Sequence, residues 1–133
     1  MPYDPMIKDT ILIPSGTSQN PTKLHLFAII TPRCQWGHHL LVSFASVPPA
    51  PRYHDASCPV AAGEHPFIKV RSFIHYGYAR IVDAAHLTNC VDRKSFIIRD
   101  PISDGLLLRI VAGLGASPHV APRIWNYFNG GQP

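Results

Sequence analysis

Fourteen prolines are spread along the 133 residues of this chain, from Pro2 to Pro133. Because proline cannot donate a backbone hydrogen bond and its ring clashes with the preceding helical turn, this spacing excludes a bundle of long helices. The chain is 46% hydrophobic, which is enough to build a core, and it falls within the usual single-domain range of about 100–200 residues. We therefore expect one domain made of short elements, with strands in its first part.

Short apolar runs bounded by turn residues predict a series of strands. They lie at residues 11–13, 24–30, 40–47, 67–70, 73–82 and 95–98. Strict alternation along the fifth run would place His75 and Tyr78 on opposite faces of the sheet. The proline-rich segment at residues 48–63 cannot be regular for most of its length, so we interpret it as a candidate binding loop.

The spacing of apolar residues changes near the C-terminus and predicts helices. Asp83 suits the cap of a short helical turn, and Ser103 or Asp104 suits the cap of a longer helix ending near Gly113 or Gly115. That helix carries one apolar stripe, formed by Leu106, Leu107, Ile110, Val111 and Leu114. A second helix is expected from Ser117 as N-cap, with Pro118 in its first turn, to about Phe128. Trp125 lies off the apolar stripe of that helix, which points to a contact with a partner.

Charge and cysteine content narrow the class of protein. Twelve basic and eight acidic residues give a formal charge of +4, which favours a polyanionic partner such as nucleic acid. The N-terminus has no basic region followed by an apolar run, and no stretch approaches the roughly 18 apolar residues of a membrane span. Three irregularly spaced cysteines argue against a disulfide framework. We expect a cytoplasmic protein with no membrane partner.

The sequence gives little support for a metal site, a nucleophilic serine or a phosphate-binding loop. Cys34 and His38, with His54 and Cys58, would suit a zinc ion if their two loops met, although buried thiols and surface histidines are the simpler interpretation. Glu64 is the only glutamate, and no acidic pair has the spacing of a two-metal site. The chain also lacks a Gly-x-Ser-x-Gly turn and a glycine-rich phosphate loop. We expect no metal and no cofactor.

The remaining kind of catalytic site is one that uses histidine and arginine side chains without a metal. Cleavage of RNA without metal needs a base for the 2′-hydroxyl, an acid for the leaving oxygen and a cation for the phosphate. Suitable side chains crowd into one stretch, namely His65, Arg71, His75, Tyr76, Tyr78 and Arg80. The alternative is an ordinary strand, with its aromatic residues in the core and its charges in solvent.

Two segments also carry a resemblance to a known family. GEHPFI at residues 63–68 and SFIHYGYARIVDAAHL at residues 72–87 resemble the later strand region of PemK/MazF-like toxins of type II toxin–antitoxin systems. The earlier apolar strands occur in the order found in that family, and the resemblance spans residues 8–87. It implies a compact SH3-like barrel, dimeric, that cuts single-stranded RNA without metal and is silenced by an antitoxin.

In that family the cleaving pair is an Arg at the start of the second strand and a Thr or Ser at the end of the third. By position, the resemblance carries the second role to Ser46. The first falls near Lys23 or His25, where this chain has no Arg.

These observations predict an α+β fold, with a small SH3-like (PemK/MazF-like) β-barrel followed by a C-terminal helical hairpin. Its parts are the barrel at residues 8–100, the hairpin at 103–128 and a frayed tail at 129–133. The predicted function is that of a metal-independent endoribonuclease toxin, with single-stranded RNA, a cognate antitoxin and a second copy of the chain as partners. The candidate catalytic residues are His65, His75, Ser46 and Lys23, and the candidate RNA-binding residues are Arg71, Tyr76 and Arg80. A non-catalytic barrel that binds protein or nucleic acid, as in a phage or mobile element, is the alternative.

Overall fold

The apolar runs of the sequence form a curled antiparallel sheet. The structure is a computed structural model that describes residues 1–15 and 23–133. Within these ranges the strands are β1 (Thr10–Pro14), β2 (Leu24–Ile29), β3 (His38–Ser46), β4 (Pro59–Val60), β5 (Ser72–Asp83) and β6 (Ile97–Arg99). They form one sheet in the order β4-β5-β3-β2-β1-β6, with every neighbouring pair antiparallel. The sheet curls into a half-barrel, and the described residues also form three helices, which confirms the α+β class.

Two of the three helices begin where the sequence predicts. Helix α1 (Ala84–Asp92) follows Asp83, whose side chain accepts a hydrogen bond from the backbone of Ala85, and it runs further than the short turn that we expected. Helix α2 (Asp104–Ala116) follows Ser103, whose hydroxyl accepts from the backbone of Leu106. Side-chain caps of this kind satisfy backbone donors that the first helical turn leaves unpaired.

The predicted start of the last helix is wrong. Helix α3 covers Pro122–Phe128 and its N-cap is Ala121, which provides no side-chain hydrogen bond. Ser117 instead ends α2, and its hydroxyl donates to the Asp55 carboxylate at 2.6 Å. Proline at the first position of α3 explains the start, because its fixed φ suits a helical turn and it has no N–H to satisfy there.

The expected strand at residues 67–70 is also wrong. The segment before β5 is a turn, in which the backbone N–H of Gly63 donates to Ile68 O at 2.8 Å and that of Ile68 donates to His65 O at 2.9 Å. These local bonds take backbone groups that a sheet ladder would need. The turn lies against the sheet and contributes Ile68 to the core.

Helices pack against both faces of the sheet. On one face, α2 and α3 bury Ile110, Leu114 and Ile124 against a cluster that includes Val42 and Tyr76. On the other face, α1 buries Leu87 in a second cluster with strand residues Ile11, Ile13, Phe27, Ile29 and Leu41. The part of this second face that carries His25, Phe73 and His75 lies outside that cluster, and there Phe73 packs against His54 and His75. No helix in the described part of the chain has the length and apolar character needed to cross a membrane.

Candidate functional site

A surface cavity opens where β2 and β3 separate. The two strands pair only from Phe27 with Ser43 to Ile29 with Leu41. The first half of β2 and the last half of β3 diverge beyond this point, because β2 continues along β1 while β3 continues along β5. The gap, together with the turn that precedes β5, encloses about 470 Å³. The cavity is therefore a consequence of how the sheet curls.

The polar groups around this cavity suit an anion. It is lined by Lys23, His25, Ser46, Lys69 and Ser72, together with apolar residues of the two strands and the turn. None of the described residues that line it is an aspartate or a glutamate. Two ammonium groups that face no carboxylate across a concave surface attract a phosphate group.

The His25 imidazole lines this cavity and contacts Ser15. Its Nδ1 lies 2.8 Å from Ser15 Oγ, and that hydroxyl donates to Ile13 O. The contact from Ser15 Oγ to Ile13 O is longer, at 3.3 Å. In the tautomer in which Nδ1–H donates to Ser15 Oγ, Nε2 keeps a free lone pair. Burial lowers the pKa of His25 below its ordinary value, and the nearby charges of Lys23, Arg80 and His75 lower it further. An imidazole that stays neutral at pH 7 can act as a general base.

The structure brings Lys23 and Ser46 together at this cavity. Lys23 directly precedes β2 and is exposed, and Ser46 is the last residue of β3. Arg71 lies beside them, since its carbonyl accepts from the backbone of Val47 at 3.0 Å, and its side chain lines a neighbouring cavity with His54. Three of the seven predicted site residues thus lie around one part of the surface.

His65 lies apart from that group and is 2% exposed. Its Nδ1 accepts from the backbone N–H of Phe67 at 3.0 Å, and its Nε2 lies 2.5 Å from Asp100 O and 3.1 Å from Thr10 Oγ1. These contacts tie the turn before β5 to the edge of the sheet formed by β1 and β6. His65 thereby positions Phe67 and the cavity wall, and its role in acid–base catalysis stays a prediction.

Tyr76 is placed in the core, where its hydroxyl donates to Ile110 O at 2.7 Å. Burial raises the pKa of Tyr76 far above its ordinary value, with the Cys58 thiol as the next cause. The hydroxyl thus stays protonated and satisfies a helix carbonyl. Contact between Tyr76 and RNA, as the sequence predicts, would need this side chain to leave the core.

His75 and Arg80 lie on the open part of the second sheet face. His75 pairs with Ser43 and Arg80 with Leu41, so one residue of β3 lies opposite four residues of β5. This bulge keeps His75 and Arg80 on one face, although strict alternation places them on opposite faces. The Arg80 guanidinium lies 4.5 Å from the centre of the Phe27 ring.

The cysteine and histidine pairs do not form a zinc site. In residues 1–15 and 23–133, no three His, Cys, Asp or Glu side chains come close enough to hold one metal ion. Cys34 accepts from the backbone N–H of His38, and Cys58 is buried beside Tyr76. The only glutamate, Glu64, pairs with both terminal nitrogens of the Arg109 guanidinium.

Two residues that line the cavity, His25 and Lys69, are not among the predicted site residues. Both stand next to apolar residues that are typical of strands, so their side chains gave no sign of facing a cavity. The signal that was present is the absence of acidic residues from residues 15–31 and 66–72.

No protein-family model matches the chain, and no curated protein matches it.

Proposed function

We propose that this chain is a metal-independent endoribonuclease that binds and cleaves single-stranded RNA at the cavity between β2 and β3. The observation that carries the proposal is the set of groups around that cavity, which holds Lys23, Lys69, Ser46 and a neutral His25 and no carboxylate among its described lining residues. A metal-dependent nuclease needs acidic ligands at its reaction centre. Cations with a neutral imidazole instead suit cleavage that uses the RNA's own 2′-hydroxyl.

Each step of the reaction has a candidate group. His25 Nε2 takes the proton of the 2′-hydroxyl, and the 2′-oxygen forms a bond to phosphorus. Lys23 and the Ser46 hydroxyl stabilise the charge that develops on the non-bridging oxygens. The bond from phosphorus to the 5′-oxygen breaks, and that oxygen takes a proton from the ammonium group of Lys23 or Lys69. The products are a 2′,3′-cyclic phosphate and a 5′-hydroxyl.

The fold is compatible with a wider proposal. A curled antiparallel half-barrel suits the SH3-like barrel of PemK/MazF-like toxins, which resemble this chain at residues 8–87. We extend the proposal to a cytoplasmic toxin that acts as a homodimer and is held inactive by a cognate antitoxin. Slower growth of a host that expresses the gene, relieved by its neighbouring gene, is the expected result. Equal growth with and without expression would contradict the toxin assignment.

Incubation of the purified protein with single-stranded RNA in excess EDTA tests the cleavage directly. We expect cleavage in EDTA and a loss of about 10²–10³-fold in the Lys23→Gln variant. Lys8→Gln is the matched control, because Lys8 donates its backbone N–H to Ile29 at the opposite end of β2 and its side chain pairs with Asp104. Activity that requires added Mg²⁺ or Zn²⁺ would contradict the mechanism. Tight RNA binding without cleavage would favour the non-catalytic binding module.

A further inference from the structure

The bulge in β5 pushes Tyr78 out of the sheet. Val42 is the one residue of β3 between the pairs Leu41–Arg80 and Ser43–His75, and residues 76–79 lie opposite it. Bulges redirect side chains that a regular strand would place elsewhere. Here the Tyr78 ring stacks on the His75 ring, with 3.9 Å between centroids and 13° between planes. The Tyr78 side chain remains 61% exposed although one face of its ring is covered.

Tyr78 is the outer end of a row of flat rings, here called the aromatic track. The track consists of His54, Phe73, His75 and Tyr78, whose successive centroids are 5.0, 5.6 and 3.9 Å apart. It runs along β5 on the sheet face that α1 leaves open. Rings at these separations are packed against one another. The inner rings therefore hold Tyr78, the exposed end of the track, in place, and this ring needs little ordering to accept another ring.

The charge around the aromatic track is complementary to a polyanion. The Arg80 guanidinium lies over Phe27 on the same face, and its charge lowers the pKa of His25 in the cavity. The neighbouring 230 Å³ cavity is lined by Tyr53, His54, Phe73, His75, Gly77, His119 and Asp55. Asp55 is the one carboxylate among those described residues, and it accepts hydrogen bonds from Ser57 and Ser117.

One buried polar atom lies in the aromatic track without a partner among the described residues. His75 Nδ1 has no hydrogen-bond partner there, although it is buried. Buried polar atoms are rarely left unpaired, and exceptions mark positions that a ligand or water completes. A Cβ at the neighbouring Gly77 would be in van der Waals contact with the His75 ring, 3.4 Å from Cε1 and 3.6 Å from Nδ1.

We infer that the exposed face of Tyr78 is a stacking platform for an unpaired base of single-stranded RNA whose backbone continues toward the Lys23 cavity. This inference rests on the proposed function and adds a base-binding subsite to it. A stacked ring with a cation such as Arg80 nearby is an arrangement by which proteins hold single strands with little sequence preference. A folded protein partner would instead need a broader apolar surface than one exposed ring.

Fluorescence of 2-aminopurine in a 2′-O-methyl RNA strand tests the platform, because that strand binds but offers no 2′-hydroxyl for cleavage. We expect the fluorescence to fall on binding to the wild type. Tyr78→Ala should weaken binding about 5–100-fold and remove the fluorescence change, whereas Tyr78→Phe, which keeps the ring, should retain both. Trp36→Ala is the matched control, since Trp36 is an exposed aromatic residue beside Arg33 at the opposite end of β3. Melting followed by circular dichroism verifies that each variant folds.

The outcomes separate this inference from the proposed function. Binding with base stacking, but without cleavage of unmodified RNA, would support the platform and contradict the nuclease. If Tyr78→Ala cleaves RNA like the wild type and binds the 2′-O-methyl strand with wild-type affinity, the platform is overturned. The proposed nuclease activity is then still supported. Absence of binding by the wild type would overturn the platform as well.

Discussion

The Ser117 hydroxyl donates a 2.6 Å hydrogen bond to the carboxylate of Asp55, a residue 62 positions earlier in the chain. The same carboxylate accepts from the hydroxyl and backbone N–H of Ser57, and Ser117 Oγ accepts from the backbone of His119. Asp55 is 6% exposed. This contact fastens the proline-rich segment before β4 to the junction between α2 and α3, and it thereby fixes one wall of the cavity beside the aromatic track.

Replacing either partner of this contact should destabilise the fold, most at neutral pH. Burial favours the protonated carboxyl, but the hydrogen bonds from Ser117 and Ser57 outweigh it and hold the pKa of Asp55 below its ordinary value of 3.8. A lowered pKa contributes stability above the unfolded value that is lost as pH falls through the folded one. We expect Ser117→Ala to cost about 1.5–3 kcal/mol near pH 7 in urea unfolding, and less below pH 3.8. A cost that grows at low pH would contradict this account.

Gly113 should not tolerate a methyl group, although it lies inside a helix. A Cβ at this position would clash with the Tyr76 hydroxyl and lie 3.0 Å from Cys58 Cβ and from Ser57 O. Gly113→Ala should therefore cost about 1–3 kcal/mol, measured by denaturant unfolding. Gly115→Ala is the control, because its Cβ would meet only the Trp125 ring at 3.7 Å or beyond. The control should be neutral or stabilising by up to about 1 kcal/mol, and equal losses in both variants would count against the tight contact.

We expect Trp125 to contact a second copy of the chain and to contribute little to the packing of the core. Its side chain is 42% exposed and stacks on Phe128, whereas Ile124 and Tyr127 are the buried residues of α3. Trp125→Ala should weaken association of two copies in sedimentation experiments and leave the melting temperature nearly unchanged. Ile124→Ala is the contrasting variant, with an expected loss of about 2–5 kcal/mol. A loss of about 3–5 kcal/mol in Trp125→Ala would identify it as a packing residue.

The titration of His25 provides a test that does not depend on activity. Burial is the main cause of its lowered pKa, and the charge of Lys23 is the next. Nuclear magnetic resonance of the imidazole should give a pKa below 6.5 in the wild type and a higher one in Lys23→Gln, with Lys8→Gln unchanged. If RNA cleavage uses this base, its rate should fall on the acid side of the same titration. An imidazole that titrates above 6.5 would remove His25 as a base for neutral pH.

Much of the fold follows from local sequence. Apolar runs bounded by prolines predict β1, β2 and β3 because such runs have few other ways to bury their side chains. Ser103 and the stripe behind it predict α2 for similarly local reasons. Ser117 failed as a predictor of α3 because a serine between two helices can cap the next one or bind elsewhere, and here a distant carboxylate takes its hydroxyl.

The candidate site was harder to predict than the fold. The bulge brings His75 and Arg80 to one face of the sheet and stacks Tyr78 on His75. It depends on how β5 pairs with β3, so alternation along one strand cannot indicate it. The cavity depends on where β2 and β3 separate. Lys23 and Ser46 line the cavity. They were predicted as site residues through the resemblance, which specifies the ends of strands and does not need the register between them, and their catalytic role stays a prediction.

The chemistry of the cut ends tests the central claim most directly. A single-stranded RNA that carries one 2′-deoxy nucleotide on the 5′ side of its cleaved bond is incubated with the protein in EDTA, and its fragments are weighed by mass spectrometry. We expect the unmodified strand to yield a 2′,3′-cyclic phosphate and a 5′-hydroxyl, and the 2′-deoxy strand to remain intact at that bond. His25→Gln should slow the first reaction about 10²–10⁴-fold. Cleavage of the 2′-deoxy bond, or fragments with a 5′-phosphate, would contradict the mechanism.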